Sequence, residues 1–241
     1  MDYTISKIDF LRFGINTAKA RLNSNEDLEK AINLSEQDQI DFLIVRIPTD
    51  QLSTVQALLL RGAILTDTLI YYEKKAIEPF RDCLLPGYAM RYADSSDAAK
   101  VEKVAQVAFE DYFGHYQADP RLDKRDCNLA YSSWAFKSCI DSGFTEDVIL
   151  IEKGKDIAAF ATVKRIEATS FEGVLFAVSP KYRQRGLHKA LMKLALNWGA
   201  QKRMSRMISS TQITNLPVQK NWCRLGFEPA ESYYTLHYWT T

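Results

Sequence analysis

Cysteine and histidine are scarce in this chain. Its 241 residues include four cysteines and three histidines, and no two cysteines form a Cys-x-x-Cys pair. Spacings typical of a structural zinc site or a disulfide framework are therefore absent. We expect reduced thiols and no metal ion.

Long apolar runs and an excess of one charge are missing as well. No apolar run approaches the roughly 20 residues of a membrane span, and the start lacks the basic and apolar segments of a signal peptide. The net charge is +1, from 31 Lys and Arg against 30 Asp and Glu, which argues against bulk nucleic-acid binding. We expect a cytoplasmic protein without a membrane or nucleic-acid partner, in which basic groups act locally.

The most informative stretch is residues 172–198. An apolar run at 174–178 is stopped by Ser179 and Pro180, which predicts the end of a strand. Gly186 then opens a segment with apolar residues three and four apart, which predicts a helix. Lys181, Arg183 and Arg185 lie between the two. A basic turn that leads into a helix N-terminus is typical of a phosphate-binding site.

This stretch resembles a known family. The sequence Arg-Gln-Arg-Gly-Leu-His at 183–188 is similar to the acyl-CoA pyrophosphate loop of the GNAT N-acetyltransferases, and residues 215–227 are similar to the family segment that begins with Asn and ends with Gly-Phe. The resemblance implies an α/β (α+β) GNAT fold, a mixed central sheet flanked by helices, with acetyl-CoA as cosubstrate. The implied cosubstrate-binding residues are Ala177, Val178, Arg183, Gln184, Arg185, Gly186, Leu187, His188 and Asn215. His188 departs from the small residue usual at its position.

The first part of the chain echoes the last. A strand at 40–47, a helix at 52–61, Gly62 and a strand at 66–72 return in the same order over 207–236. We interpret residues 1–78 as a partial GNAT-like domain without a cofactor loop, 79–89 as a connector and 90–241 as the GNAT acetyltransferase domain. A chance echo between α/β segments is the alternative.

The full-length pattern resembles bacterial acetyltransferases of the TDP-fucosamine type, through residues 9–14 and 114–122 in particular. This implies that the acceptor is the amine of a nucleotide-linked 4-amino-4,6-dideoxy sugar, used for surface polysaccharide. Acceptor-binding candidates are His115, Tyr116, Asp119 and Arg121, although Asp119 and Arg121 could instead pair with each other. Another small-molecule, peptide or polyamine amine and a non-catalytic CoA-binding role stay open, as do the monomer and the homodimer.

The chemistry needs a base and an acid. An ammonium with a pKa of about 10.4 must lose a proton before it attacks a thioester, and Glu172 is the predicted base. A backbone N–H near Ala177 or Val178 is expected to stabilise the developing oxyanion. Trp222 stands where the family usually has a general-acid tyrosine, and an indole does not ionise in this range. Solvent or a hydroxyl of Ser210, Tyr233 or Tyr234 would then protonate the leaving thiolate.

Overall fold

Ten strands join in one continuous sheet, in a computed structural model that describes residues 1–240. The strands are β1 (Asp2–Ile5), β2 (Thr17–Arg21), β3 (Phe42–Pro48), β4 (Ile64–Lys75), β5 (Ala89–Tyr92), β6 (Asp147–Lys153), β7 (Asp156–Glu167), β8 (Ser170–Val178), β9 (Arg206–Gln212) and β10 (Glu228–Trp239). Their order is β1-β2-β3-β10-β4-β9-β8-β7-β6-β5. The sheet mixes parallel and antiparallel pairs, as expected for a GNAT fold.

Eight helices accompany the sheet in the described residues. They are α1 (Lys7–Phe13), α2 (Asn25–Gln37), α3 (Leu52–Leu60), α4 (Ala98–Ala108), α5 (His115–Ala118), α6 (Lys124–Ile140), α7 (Leu187–Gln201) and α8 (Leu216–Arg224). The predicted apolar face of α7 is confirmed, because its residues are all buried: Leu187, Ala190, Leu191, Leu194, Ala195 and Trp198. The segment 114–122, which carries part of the family resemblance, contains the single turn α5.

Two halves of the chain repeat the same pairings. β1 and β2 are antiparallel, β2 and β3 are parallel and connected by α2, and α3 connects β3 to β4. β7, β8, β9 and β10 repeat this order around α7 and α8. The last strand of each half inserts into the other, since β10 lies between β3 and β4 while β4 lies between β10 and β9. The sheet thus crosses the predicted boundaries at 78 and 90, which stay an interpretation of the sequence.

The halves differ where two parallel strands separate. All five residues of β2 pair with β3, from Thr17 to Arg21. β8 pairs with β9 only over Ser170–Glu172 and then continues to Val178 along β7 alone. A register shift at Val174 accompanies the separation, as expected where a bulge bends a strand. Only the second half therefore opens a wedge between its parallel strands.

Candidate active site

A long cleft runs from the basic turn to the wedge. Its volume is about 890 Å³. The residues that line it come from the β8 end, the turn and the first residues of α7 and α8, and include Ala177, Val178, Arg183, Gln184, Gly186, Leu187, His188 and Asn215. Eight of the nine cosubstrate-binding residues predicted from the sequence thus lie together. Arg185 is exposed in the same turn but does not line the cleft.

The basic turn presents backbone and side-chain donors. Gln184 and Gly186 have φ of 61° and 76°, and the left-handed Gly186 allows a tight entry into α7. The Arg183 guanidinium donates to the carbonyl of Ala108 at 2.8 Å. Arg185 lies over the Tyr182 ring, 5.8 Å from its centroid, and in the described part of the chain it forms no salt bridge. The turn and the free first-turn N–H groups of α7 fit a pyrophosphate.

His188 is half-buried between two cavities. Its Nδ1 lies 2.8 Å from Nδ2 of Asn221, which can only donate, so Nδ1 accepts. Burial lowers the pKa of His188 to about 4. The ring is therefore neutral at pH 7.

The wedge holds a second cavity of about 170 Å³. It shares Phe109, Phe176, His188, Asn215 and Val218 with the cleft, so the two adjoin. Asn215 precedes α8, but its side chain donates to Thr211 Oγ1 at 3.0 Å and does not cap the helix. We call this space the reaction cavity.

Backbone donors at the end of β8 face opposite sides. The Ser179 N–H donates to the Ala158 carbonyl of β7 at 3.0 Å. Because strand N–H groups alternate, the Ala177 N–H faces β7 as well, while the Val178 N–H faces the open wedge. Of the two predicted oxyanion donors, Val178 has the suitable orientation.

Trp222 lines the reaction cavity and is almost fully buried. Its indole N–H has no hydrogen-bond partner in the described residues. Ser210 lines the same cavity, whereas Tyr233 does not and donates its hydroxyl proton to Glu231 at 2.6 Å. Of the hydroxyls suggested as an acid, Ser210 is the one that this cavity contains.

A third cavity, of about 340 Å³, extends the site into the first half of the chain. Lys19, Arg21 and Arg46 line it, and it shares Arg46, His115 and Trp134 with the reaction cavity. We call it the basic cavity. Sequence reasoning missed it, although the cations Lys19 and Arg21 in the segment 17–21 and Arg46 in the apolar segment 42–48 were a signal.

The predicted acceptor residues at 115–121 divide between cavity and core. His115 lines both the reaction cavity and the basic cavity, and buried Tyr116 lines the latter. The Tyr116 hydroxyl donates to Asp9 at 2.7 Å. Asp119 is buried and accepts from the Arg121 main-chain N–H at 3.0 Å, while the Arg121 guanidinium lies over the Trp239 ring at 5.4 Å. Neither Asp119 nor Arg121 lines the three cavities.

Two carboxyl groups lie near the site in surroundings that favour their neutral form. Burial raises the pKa of Glu172, against the opposing charges of Arg46, Lys164 and Arg21. Glu172 is half-buried on β8 before the register shift and does not line the cavities. Asp67 lines the reaction cavity, and burial raises its pKa too. Asp67 was not predicted from the sequence.

Two other features complete the description. In residues 1–240 no helix is long and apolar enough to cross a membrane, and no group of three or more His, Cys, Asp or Glu side chains could hold a metal ion. A further cavity of about 530 Å³ lies between the end of α7 and residues 76–79. It contains none of the residues described above.

A forked pair of parallel strands beside a basic turn at a helix N-terminus defines an acyl-CoA-binding protein. The family described as "Acetyltransferase (GNAT) family" matches residues 102–227, just over half of the chain. The chain belongs to this family and is an N-acetyltransferase, and members of the family use acetyl-CoA.

Three relatives illustrate the similarity. The spore coat polysaccharide biosynthesis protein SpsD of Bacillus subtilis (strain 168) is 20% identical over 88% of this chain and 71% of its own length. A GCN5-related N-acetyltransferase from Sphaerobacter thermophilus superposes with a TM-score of 0.68 and 9% identity, over 98% of this chain and 76% of that chain. A tandem GNAT protein from the clavulanic acid biosynthesis pathway gives a TM-score of 0.61 and 11% identity, over 90% and 70%. The two structures support the fold.

Proposed function

We propose that this enzyme transfers an acetyl group from acetyl-CoA to the amine of a nucleotide-linked amino-deoxy sugar, of the TDP-4-amino-4,6-dideoxyhexose type. The amine would attack directly while both substrates are bound. The pyrophosphate of acetyl-CoA would lie at the turn 183–188 and the thioester in the reaction cavity. The four cysteines are free, which fits a reducing, cytoplasmic location for this reaction.

The observation that carries the proposal is the pair Arg21 and Arg46. These residues are register partners on β2 and β3, so their side chains leave the sheet on the same face. Like charges on neighbouring strands repel, and within residues 1–240 neither arginine makes a salt bridge. Arg46 donates to the Tyr71 hydroxyl at 3.1 Å, and Arg21 lies over the Tyr233 ring at 4.4 Å. A bound diphosphate would neutralise both charges.

The position of this pair supports an acceptor rather than a second cosubstrate site. The cleft beside the basic turn, which would hold acetyl-CoA, is called the CoA cleft here. The basic cavity shares Arg46, His115 and Trp134 with the reaction cavity and no residue with the CoA cleft. A sugar that links a diphosphate to an amine could therefore place its charged end at Arg21 and its amine at the thioester. A polyamine would instead be repelled by Arg21 and Arg46, whose two charges exceed that of Asp2, the one carboxylate lining this cavity.

The similarity to SpsD, which is named for polysaccharide biosynthesis, agrees with a sugar acceptor. Trp222 would position the thioester without acting as an acid. Because a thiol has a pKa of about 8.5, its thiolate leaves without obligatory protonation at neutral pH. Losing a general acid lowers rates by roughly 10²–10⁴-fold at most, which leaves measurable turnover.

The test is free-thiol release from acetyl-CoA with TDP-linked 4-amino-4,6-dideoxy sugars of both C4 configurations. Release with one sugar, and none without it, is the expected result. Spermidine and an acidic peptide serve as competing acceptors, and calorimetry checks that acetyl-CoA binds. Thiol release with spermidine or with the peptide, but with neither sugar, would overturn the sugar assignment. Binding of acetyl-CoA without thiol release in the presence of any of these amines would indicate a non-catalytic CoA-binding role.

A further inference from the structure

Three residues line both the reaction cavity and the basic cavity: Arg46, His115 and Trp134. They mark the place where a thioester on one side would meet an amine on the other. An arginine stays protonated and an indole N–H only donates, so neither can take a proton. His115 is the member of this group with a nitrogen lone pair.

A second histidine and a carboxylate stand behind His115. The Nδ1 atom of His115 lies 2.9 Å from Nε2 of His237. The Nδ1 atom of His237 lies 2.9 Å from Oδ2 of Asp119, which also accepts from the Trp239 indole N–H at 3.0 Å. The three groups come from α5, β10 and the residue after α5, and His237 and Asp119 are buried.

This chain of contacts fixes which nitrogens carry protons. Burial alone would raise the pKa of Asp119, but hydrogen bonds from His237 and Trp239 outweigh it and hold the pKa below its usual range. The carboxylate therefore accepts from His237 Nδ1–H, which leaves His237 Nε2 as an acceptor. His115 Nδ1 must then donate, and the lone pair of His115 lies on Nε2, its other ring nitrogen.

We propose that His115 is the general base that deprotonates the acceptor amine, with His237 and Asp119 as positioning residues behind it. For its acceptor this inference rests on the proposed function. Nε2 of His115 takes a proton from the acceptor ammonium, and the freed nitrogen bonds to the thioester carbonyl carbon. The C–S bond then breaks, the second nitrogen proton passes through water or the Ser210 hydroxyl to the departing thiolate, and His115 finally releases its proton to solvent.

The relay provides a place for the proton that the base accepts. Burial lowers the pKa of His115, and the charges of His237 and of Arg46, Lys19 and Arg12, on β3, β2 and α1, lower it further. If the Nδ1 proton of His115 shifts to His237 Nε2, the charge comes to lie beside the Asp119 carboxylate. Asp9 pairs with Lys19 at 2.7 Å and accepts from Arg12 at 2.8 Å, so its single negative charge offsets part of the positive charge of these two cations.

Two carboxyl groups are the competing bases. Glu172 lines neither cavity, and Asp67 lines the reaction cavity alone. Tyr112 and Tyr131 also line the reaction cavity, and burial raises the pKa of both phenols. Both are therefore protonated at neutral pH. Position thus favours His115, and the variants Glu172→Gln and Asp67→Asn test these alternatives directly.

The pH dependence of kcat/KM for the amine acceptor separates these bases. We expect His115→Gln to lower kcat/KM at least 10²-fold at pH 7, with the dissociation constant of acetyl-CoA within twofold of wild type. Its kcat/KM should then rise tenfold per pH unit up to the pKa of the amine, because only pre-formed neutral amine reacts. The kcat/KM of the wild-type enzyme should reach its plateau at a lower pH than that of the variant, because His115 is already neutral at that pH and can deprotonate the amine. The proposal would be overturned if His115→Gln had the same kcat/KM as the wild type. It would also be overturned if kcat/KM fell in the variant without the tenfold rise per pH unit.

Two matched variants locate the effect. His188→Gln changes another half-buried histidine of the reaction cavity. Because His188 also lines the cleft, this variant is compared only by the shape of its pH profile, which should stay that of the wild type, and not by its rate. His237→Phe should shift the profile and lower kcat more than it raises the acceptor KM, because His115 loses its proton partner. A lowered Tm with an unchanged profile would make His237 purely structural and would contradict the relay.

A spectroscopic measurement keeps the inference testable if no sugar acceptor is found. Nitrogen NMR of the side chains in the 15N-labelled protein should show His115 and His237 neutral at pH 7, with an unprotonated Nε2 in each. In His237→Phe the His115 tautomer should become mixed. A protonated Nε2 on His115 in the wild type would overturn the base assignment whether or not turnover is seen, whereas failed turnover with the expected tautomers would count only against the acceptor.

Discussion

The indole ring of Trp222 lies against the ring of Tyr72, with 5.5 Å between the centroids and 60° between the planes. Trp222 also packs against Phe227 at 6.3 Å. The Tyr72 hydroxyl is directed to Gln219 Oε1, at 3.4 Å. The residue at the family's general-acid position is thus held by apolar packing, with its own N–H unpaired in the described residues.

We therefore predict that Trp222→Phe keeps at least a tenth of wild-type kcat. Phenylalanine preserves an aromatic wall and removes only an unpaired donor, and the smaller ring should lower stability by about 1–3 kcal/mol through the cavity it leaves. Thiol-release kinetics and a melting curve measure the two effects. A kcat reduced by 10³-fold with intact acetyl-CoA binding would show that the indole N–H takes part in the chemistry.

A second prediction concerns the basic turn. Arg185→Glu places a carboxylate beside the predicted pyrophosphate and the positive end of the α7 dipole. One exposed ion contact contributes roughly 0.2–1 kcal/mol and reversal adds repulsion, so we expect the acetyl-CoA dissociation constant to rise about fivefold to tenfold in calorimetry.

Lys7→Glu, the same charge change on exposed α1, is the control for the Arg185 variant. It should leave the dissociation constant within twofold. Equal effects of the two variants would indicate general electrostatics, and an unchanged constant in Arg185→Glu would contradict the loop assignment.

Local patterns explain what the sequence predicted. The strand before Ser179, the turn and α7 are adjacent in the chain, so periodicity and turn chemistry suffice to predict a phosphate site at this turn. The basic cavity depends instead on the parallel register of Arg21 with Arg46. His115 and His237 meet across 122 positions of the chain, because β10 inserts between β3 and β4. No pattern within either segment specifies that insertion.

A third prediction tests the acceptor end of the site. Arg21→Gln should raise the acceptor KM about tenfold or more, since a hydrogen bond to a charged group contributes roughly 1.5–3 kcal/mol. The acetyl-CoA dissociation constant should not change, because Arg21 does not line the CoA cleft. Steady-state kinetics with the TDP-sugar and calorimetry with acetyl-CoA measure the two constants.

Arg61→Gln serves as the control for Arg21→Gln, since Arg61 pairs with Glu29 on the surface and should have no effect on the acceptor KM. If Arg21→Gln lowered kcat at an unchanged acceptor KM, the diphosphate would have to bind elsewhere.

A fourth prediction concerns the contact of α7 with β8. A Cβ on Gly199 would overlap the ring carbons Cε1 and Cζ of Phe171, whose ring packs edge-on against Trp198 at 5.0 Å. Gly199→Ala should destabilise the protein by about 1–2 kcal/mol, because overpacking costs about 1–3 kcal/mol and the helix propensity of alanine recovers up to about 1 kcal/mol. Urea unfolding measures the change. In the Phe171→Leu background the same substitution should cost less, and equal costs in both backgrounds would rule out the clash.

The last prediction concerns stability in acid. Hydrogen bonds from both Arg91 guanidinium nitrogens, at 2.6 and 2.8 Å, lower the pKa of buried Asp97 to about 2. In the unfolded chain an aspartate has a pKa of about 3.9, so the pair stabilises the fold above pH 4 and loses this contribution as pH falls toward 2. At about 1.4 kcal/mol per pKa unit this difference corresponds to roughly 2.6 kcal/mol, and solvent screening at the partly exposed Arg91 reduces the contribution to about 2 kcal/mol. Asp97→Asn should therefore lower the free energy of unfolding by roughly that amount at pH 7, and the difference from wild type should vanish near pH 2.

Asp82→Asn, at an exposed aspartate, is the control for Asp97→Asn and should change the free energy of unfolding little at either pH. A difference for Asp97→Asn that stayed constant from pH 7 to pH 2 would mean that packing, and not the ion pair with Arg91, is lost.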